Sequence, residues 1–492
     1  MRPLIDEVET AATPDSLTGW LFHCEKTPRG VVLLRGGGDF PQARYSFVTA
    51  NPFMVFRAFG SRCEITRPAP SASHVQFGNP WQVLDALMSR CELLDELDLP
   101  FPLGGCFGFW GYDLKNFTEP KLPRRALNDL ELPDCQVGFY DSVVIFDHQL
   151  GKTFIVSTGL DADGSRSEHR ANERFDFWRE ALAKSGRDVW GPPSATHRPP
   201  STIPSPVRSN FARQEFTGAV RHAQEYIRAG DIYQVNLSQR LSATSADSGW
   251  AFFRRLNAVS PAPFAAFLDC GNFQIVSSSP EQFLRLSGPH IVTRPIKGTR
   301  ARDADPTCDA KLAYELQTSA KELAELIMIT DLLRNDLGKV CEFGSVQVPE
   351  LARLEKFAQV QHLVSTIEGR LRHGVTHFSA LASCFPGGSI TGAPKFRAME
   401  IIDELEPVTR GPYCGCHGYL GFNRESQLSI TIRTAICTPD QIHFNVGAGI
   451  VADSNPELEY EETLAKGAGF LAAVQRGIEP RTRNIERGTS KD

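Results

Sequence analysis

The chain has 492 residues, of which 41% are apolar and 22% charged, and its net charge is −6. These values are ordinary for a globular protein, and a length beyond roughly 250–300 residues predicts more than one hydrophobic core. A weakly acidic chain is a poor candidate for a nucleic-acid binder, because phosphate neutralisation needs a basic surface. No apolar run approaches the ~20 residues of a membrane span, and the N-terminus MRPLIDEVET carries acids where a signal peptide needs apolar residues. We therefore expect neither nucleic acid nor a membrane as a partner.

A segment rich in Pro and Ser, SGRDVWGPPSATHRPPSTIPSPVRSN, divides the sequence. Such a composition cannot bury enough apolar surface to offset the entropy lost on ordering. We predict an N-terminal domain over residues 1–184, a linker over 185–210, a C-terminal domain over 211–474 and a disordered tail over 475–492. The twelve cysteines are scattered without a CxxC pair or zinc spacing, which favours reduced thiols in a cytoplasmic protein.

The N-terminal part is predicted to contain mainly strands with short helices. Pro80–Leu97 carries a helical pattern. Phe139–Phe146 and Lys152–Ser157 are β-rich runs separated by DHQLG, which predicts a hairpin.

The C-terminal part opens with a predicted helix over Arg213–Arg228, closed by Gly230. A long helix is predicted over Asp309–Leu337 and a final one over Pro456–Val474. Strands are predicted over Gln234–Leu241, Phe264–Leu268, Phe273–Ser277, His290–Thr293, Tyr413–Phe422, Gln427–Cys437 and Ile442–Val446. Runs of strands with helices between them favour an α+β protein over a doubly wound parallel sheet.

Two of these helices carry pairs of glutamates three residues apart, Glu322 with Glu325 and Glu459 with Glu462. Residues three apart share a helix face. Ser319 could cap the first pair's helix, and Asn455-Pro456 is a typical start for the second. Two acidic faces repel each other unless they are solvated or bridged by a cation such as Mg²⁺. Spacing alone leaves both readings open.

Glycine-rich turns and two cations lie between these helices. The turns are predicted in PIKGTR (295–300), FPGGSITGAPK (385–395) and GAGIVADS (447–454), and backbone N–H groups in such turns can approach an anion. Arg433, in a strand-like run, is a candidate carboxylate clamp or else an exposed strand residue. Lys297 could act as a nucleophile, although most lysines do not. The pattern indicates an anion-binding enzyme and leaves metal assistance open.

Long strings in fixed order resemble the chorismate-utilising enzymes. They include GDIYQVNLSQR (230–240), SSPEQF (278–283), KELAELIMITDLLRNDLG (321–338), FPGGSITGAPKFRAMEIIDELEP (385–407), SITIRT (429–434) and GAGIVADSNPELEYEETLAK (447–466). ARYSFVTANPFMVF (43–56) extends the resemblance to the N-terminal part. The resemblance implies an α+β fold in which antiparallel sheets form a sandwich with helices packed outside.

The resemblance also implies a site, residue by residue. Glu325 and Glu462 match ligands of Mg²⁺, with Glu459 beside them and Glu322 as a more distant acid. Arg433 and Tyr413 match residues that hold the side-chain carboxylate of chorismate. Other positions that match the pocket are Gly298, Thr299, Ser389, Gly447, Gly449 and Lys466. Glu281 matches a general acid, and His362 matches an active-site histidine near the ring hydroxyl.

Two positions distinguish the members of this family. Isochorismate-forming members resemble one another in having a lysine base where this chain has Gln234, and glutamine cannot activate water. Anthranilate synthases have PIAGT where this chain has PIKGT, so Lys297 implies amination of chorismate at C4 through a covalent lysine intermediate. The expected product is 4-amino-4-deoxychorismate, the precursor of p-aminobenzoate and folate. Anthranilate formation is the alternative within the family, and a catalytically silent chorismate-binding subunit is the alternative from another class.

The resemblance further implies a partner that supplies ammonia. We recognise no glutaminase sequence in the chain, so ammonia is expected from a separate glutamine amidotransferase subunit. Two strings that bind tryptophan in relatives are altered here, since Gly36 replaces a serine and Ser260–Phe264 reads SPAPF. Both changes argue against tryptophan feedback, and whether tryptophan binds the N-terminal part stays open.

Overall fold

The computed structural model describes residues 2–24, 27–37, 40, 42–67, 73–93, 99–186, 207–245, 247–357 and 360–475. Most of the predicted linker, and the predicted tail from residue 476 onwards, lie outside the described residues. None of the helices in the described ranges combines the length and the apolar character that a membrane crossing requires.

The described residues form 24 strands and 12 α-helices, together with short 3-10 turns at Tyr112–Leu114 and Gly388–Ile390. The strands are β1 Leu4–Glu7, β2 Val32–Arg35, β3 Tyr45–Thr49, β4 Met54–Phe59, β5 Arg62–Thr66, β6 His74–Phe77, β7 Gly105–Trp110, β8 Cys135–Tyr140, β9 Ser142–Asp147, β10 Lys152–Ser157, β11 Arg208–Ser209, β12 Gln234–Thr244, β13 Phe264–Asp269, β14 Gln274–Ser279, β15 Gln282–Ser287, β16 His290–Arg294, β17 Ile296–Ala301, β18 Gln347–Lys356, β19 Val360–Arg370, β20 Gly392–Ala393, β21 Cys416–Gly421, β22 Glu425–Ile430, β23 Thr434–Cys437 and β24 Gln441–Ile450. The helices are α1 Pro14–His23, α2 Pro80–Met88, α3 Lys115–Thr118, α4 Glu168–Ser185, α5 Arg213–Arg228, α6 Gly249–Val259, α7 Pro306–Thr318, α8 Ala320–Gly338, α9 His377–Cys384, α10 Lys395–Leu405, α11 Pro456–Lys466 and α12 Ala468–Gln475.

The strands pair antiparallel in two 12-stranded sheets. One sheet has the order β1-β10-β9-β3-β2-β13-β14-β23-β24-β12-β11, with β20 on β12. The other has the order β17-β19-β16-β15-β22-β21-β7-β8-β4-β5-β6, with β18 on β19. Each sheet takes strands from both sides of the predicted linker, through the pairs β2–β13 and β7–β21. Hydrogen bonding is therefore continuous across that boundary, and the division into domains stays a prediction.

The main hydrophobic core lies between the two sheets. Phe47 of β3 and Tyr419 of β21 meet there with ring centroids 5.0 Å apart. A second core lies between the first sheet and helices α1, α4, α6 and α12, where Trp178, Phe252 and Phe470 are fully buried or nearly so. This arrangement confirms the predicted α+β fold, since each sheet buries an apolar face against another layer.

Two runs predicted as single strands are wrong, because within each of them the chain passes from one sheet to the other. Phe139–Phe146 divides at Asp141 into β8 of the second sheet and β9 of the first. Gln427–Cys437 divides between β22 and β23 in the same way. The residues on either side of each corner stay β-rich, so the sequence pattern does not reveal where the strand divides.

Two predicted helices are also divided. The one over Asp309–Leu337 breaks at Ser319, whose hydroxyl accepts the N–H of Glu322 at 3.4 Å and caps α8. The final helix breaks at Gly467 between α11 and α12. The helix over Arg213–Arg228 and the hairpin formed by β9 and β10 are confirmed. The helix predicted from Pro80 ends at Met88, and the other predicted strands overlap observed ones with shifted ends.

Candidate functional site

Lys297 lies on β17, next to a bulge in its pairing with β19. The register shifts between Lys297 and Thr299, and Gly298 between them has a φ of 75°. A Cβ on Gly298 would lie 2.7 Å from Leu316 and 3.1 Å from Glu322, so both the backbone and the space require glycine. The turn predicted for PIKGTR is therefore wrong, because the segment is a bulged strand.

The amine of Lys297 points at helix α8. Its Nζ lies 2.9 Å from Oε2 of Glu325, whose side chain is 12% exposed. Glu322, one turn earlier, faces Gly298 and lies 3.5 Å from the guanidinium of Arg300. The acidic face of α8 is thus turned towards β17, which disfavours the solvated-face reading for this pair.

Helix α11 brings the second pair of glutamates to the same region. Asn455 caps it as predicted, accepting the N–H groups of Glu457 and Leu458. Partial desolvation acts to raise the pKa of Glu462, whose side chain is still 50% exposed, but Lys466 at 2.8 Å, with Lys297 and Lys321, lowers it overall. Lys297 of β17 and Lys321 of α8 therefore act electrostatically on an acid of α11, which lies near both.

Glu459 and Lys466 are held on either side of Glu462. Burial raises the pKa of Glu459, and its Oε1 accepts the hydroxyl of Ser454 at 2.6 Å. Lys466 donates to the carbonyl of Gly447 at 2.9 Å, which ties α11 to β24. Within the described ranges, no group of three or more His, Cys, Asp or Glu side chains is arranged to hold a metal ion.

Glu281 is a buried acid between β14 and β15. Burial raises its pKa to about 7, against the opposing effects of Ser389 and Lys297. The hydroxyl of Ser389, in the 3-10 turn, donates to its Oε1 at 2.6 Å. A carboxyl group with this pKa is substantially protonated near neutral pH and can donate a proton.

Arg433 lies at the corner between β22 and β23, with a φ of 49°, so its prediction inside a strand is wrong. Burial lowers its pKa, and no carboxylate of the described residues contributes to that pKa. Burial and then Arg433 lower the pKa of His362 to about 4, and His362 Nδ1 lies 2.8 Å from the hydroxyl of Thr299. A neutral imidazole therefore lies near a guanidinium for which the described residues provide no carboxylate partner.

The glycines of β24 form one wall of this pocket. A Cβ on Gly447 would lie 2.9 Å from the hydroxyl of Tyr413, and one on Gly449 only 2.5 Å from the amide nitrogen of Gln234 and 3.4 Å from Nζ of Lys297. Gly447 and Gly449 belong to the strand β24, so the turn predicted there is wrong at its start. Gln234 Oε1 is buried and has no hydrogen-bond partner among the described residues.

Contacts and electrostatic effects on pKa together link the side chains and glycines that the sequence predicted for the site. Sequence reasoning missed Lys321 of α8, and it missed a buried ion pair between Glu406 and Arg410 behind Tyr413. Residues four apart often pair along a helix. Helix α10 ends before Pro407, however, so the spacing of Glu406 and Arg410 does not predict their ion pair.

The altered tryptophan strings meet at a small cavity between the sheets. It measures about 30 Å³ and is lined by residues that include Leu34, Arg35 and Phe264. A Cβ on Gly36 would lie 2.2 Å from the carbonyl oxygen of Tyr45, which leaves no room for a serine. The absence of tryptophan feedback stays a prediction.

Comparison with known proteins adds three findings. A family model described as chorismate binding enzyme matches residues 39–472. Aminodeoxychorismate synthase component 1 of Escherichia coli (strain K12) is 41% identical over 464 residues, which are 94% of this chain and 97% of that protein. Anthranilate synthase component 1 of Thermus thermophilus is 43% identical over 461 residues, 93% of this chain and 95% of that protein. The crystal structure of anthranilate synthase component I from Streptococcus pneumoniae TIGR4 superposes with a TM-score of 0.74 at 31% identity, covering 87% of this chain and 92% of that one.

Proposed function

The chain belongs to the family of chorismate-binding enzymes, and from this premise we propose that it aminates chorismate at C4 to form 4-amino-4-deoxychorismate. The observation that carries the proposal is the amine of Lys297, held 2.9 Å from Glu325 and close to Gly449. A Lys297 side chain that pointed into solvent could not reach a substrate bound between α8, α11 and β24.

Lys297 and Glu281 divide the chemistry between them. The Lys297 amine, which must be unprotonated to act as a nucleophile, attacks C2 of the ring, and the C4 hydroxyl leaves as water with the proton of Glu281. Ammonia then attacks C4, its proton returns to Glu281, and the bond between Nζ and C2 breaks. Each step forms one bond and breaks one, and the new amino group ends on C4.

Four residues position the substrate in this proposal. Arg433 and Tyr413 bind the side-chain carboxylate, which supplies the counter-charge that the described residues do not provide for the half-buried guanidinium. His362, neutral beside Thr299, hydrogen-bonds near the ring hydroxyl. Gln234 can accept a hydrogen bond through its unpaired Oε1 but cannot deprotonate water, which supports ammonia as the nucleophile.

We propose Mg²⁺ as the cofactor, held by Glu325 and Glu462 with Glu459 and Glu322 behind them. The residues fit such an ion, because Mg²⁺ uses one or two carboxylates and leaves positions for substrate oxygens. Glu325 and Glu462 come from the two facing helices, and Lys297 interacts with both. The bound ion would orient the ring carboxylate and neutralise its charge.

We also propose that ammonia reaches this chain from a separate glutamine amidotransferase subunit, in the cytoplasm. The name "component 1" of the Escherichia coli relative supports a second component for that protein.

Anthranilate formation is the second candidate. The Thermus thermophilus relative is 43% identical, so overall sequence identity favours anthranilate formation as strongly as it favours amination at C4. Lys297 distinguishes them, since direct attack of ammonia on C2 needs no lysine nucleophile.

The test is to incubate the chain with chorismate, Mg²⁺ and ammonium and to identify the product by mass. We expect 4-amino-4-deoxychorismate, without the fluorescence of anthranilate. Anthranilate as the main product would refute the proposal in favour of the second candidate, and unchanged chorismate would favour a silent binding subunit.

A further inference from the structure

Arg410 and Glu406 form a buried ion pair behind the substrate pocket. Arg410 is 3% exposed and Glu406 5%. The guanidinium binds the carboxylate through two hydrogen bonds, from Nε to Oε2 at 2.9 Å and from Nη2 to Oε1 at 2.7 Å. Neither side chain contacts Lys297 or Glu281 through a hydrogen bond or ion pair in the described residues, so the pair takes no direct part in the proposed chemistry.

The remaining hydrogen bonds of the pair reach two walls of the pocket. Arg410 donates from Nη1 to the carbonyl of Ile390 at 3.1 Å, immediately after Ser389, which holds Glu281. Arg410 Nη2 also donates to the carbonyl of Asn236 at 2.7 Å. One guanidinium thus holds both the turn that supports the acid and a strand of the first sheet.

Glu406 binds the same strand, β12, through its carboxylate. Its Oε1 accepts the backbone N–H of Ser238 at 2.8 Å and the hydroxyl of Ser238 at 3.0 Å. In the pairing of β12 with β24, Ser238 lies opposite Gly447 and Asn236 opposite Gly449. The pair therefore fixes the strand that carries the glycine wall.

The guanidinium also lies against two tyrosines. Its Cζ is 4.8 Å from the ring centre of Tyr112 and 5.7 Å from that of Tyr413. A cation at this distance from an aromatic face is attracted to it, more strongly when water is excluded. Tyr413, which the proposed function assigns to the substrate carboxylate, is thereby held from behind.

We propose that Arg410, paired with Glu406, is a positioning residue that sets the geometry of the substrate-carboxylate site. This inference rests on the proposed function, since it names what aligns Tyr413, the glycines of β24 and Ser389 for chorismate. The planar guanidinium makes four directed hydrogen bonds and a ring contact at once, which a lysine ammonium cannot reproduce. The charge alone is therefore insufficient for the function.

The test is Arg410→Lys, which keeps the positive charge and removes the planar guanidinium with its directed hydrogen bonds. We expect KM for chorismate to rise by about tenfold or more with a smaller fall in kcat, because a misplaced binding group costs affinity for substrate and transition state together. The matched control is Arg170→Lys, which weakens a partly buried pair with Asp141 in the N-terminal part, where the ion pair measures 2.6 Å. KM should be unchanged in the control.

A second variant covers the case in which Arg410→Lys does not fold. Arg410→Met combined with Glu406→Gln removes both charges, which avoids leaving one of them buried alone. A folded variant of either kind with the wild-type KM would overturn the positioning role, as would an equal rise in KM in the Arg170 control. Failure of the wild type itself to aminate chorismate would instead refute the proposed function.

Discussion

The pKa of Glu281 leads to a prediction about stability that does not depend on turnover. Burial raises this pKa from 4.5 to about 7, so the folded protein binds a proton there more tightly than the unfolded chain does. The stability that this proton contributes is complete below the unfolded pKa and is lost as pH rises through the folded one. A difference of this size corresponds to about 3 kcal/mol.

Glu281→Gln should remove this loss of stability. Glutamine resembles the protonated acid and can still accept the hydroxyl of Ser389. The variant should match the wild type near about pH 4 and exceed its free energy of unfolding by about 3 kcal/mol near about pH 8, while amination is lost.

The measurement is urea unfolding of both proteins across this range of pH. Glu404→Gln serves as the opposite control, because hydrogen bonds from Tyr226 and Arg125 lower the pKa of Glu404. The Glu404 variant should gain no stability at high pH. A Glu281→Gln protein that differs from the wild type by the same amount at every pH would refute the assignment of Glu281 as a buried, protonated acid.

Three further variants test the site. Lys297→Ala should abolish the C4 product and divert any remaining turnover to anthranilate, which fluorescence and mass detect; an unchanged product and rate would contradict the nucleophile. Glu462→Gln should raise the Mg²⁺ concentration needed for half-maximal rate, and an unchanged Mg²⁺ titration would count against a metal at this residue. Ser389→Ala removes a hydrogen bond that lowers the pKa of Glu281, so the alkaline fall of kcat/KM should move to higher pH. A profile that stays in place or moves to lower pH would show that Ser389 does not tune the acid.

Local sequence signals determined the elements that have clear ends. Asn455-Pro456 starts α11, and the run Lys152–Ser157 is a strand as predicted, because a helix cap and a β-rich composition are properties of neighbouring residues. The chemical identity of the side chains was also readable, since a lysine at 297 and a glutamine at 234 allow different chemistry wherever they lie. The full set of site residues came from the resemblance to the chorismate-utilising enzymes, because spacing and composition indicated only an anion-binding enzyme.

Only the tertiary structure decided where those residues meet. Asp141 and Arg433 lie at corners where the chain changes sheets, and a single charged residue in a β-rich run does not mark such a corner. The sequence also does not predict the positioning role proposed for Arg410, because that role depends on contacts with carbonyl groups and aromatic rings of residues distant in sequence. Periodicity reports how each residue is buried, whereas the convergence of distant segments depends on how whole sheets and helices pack.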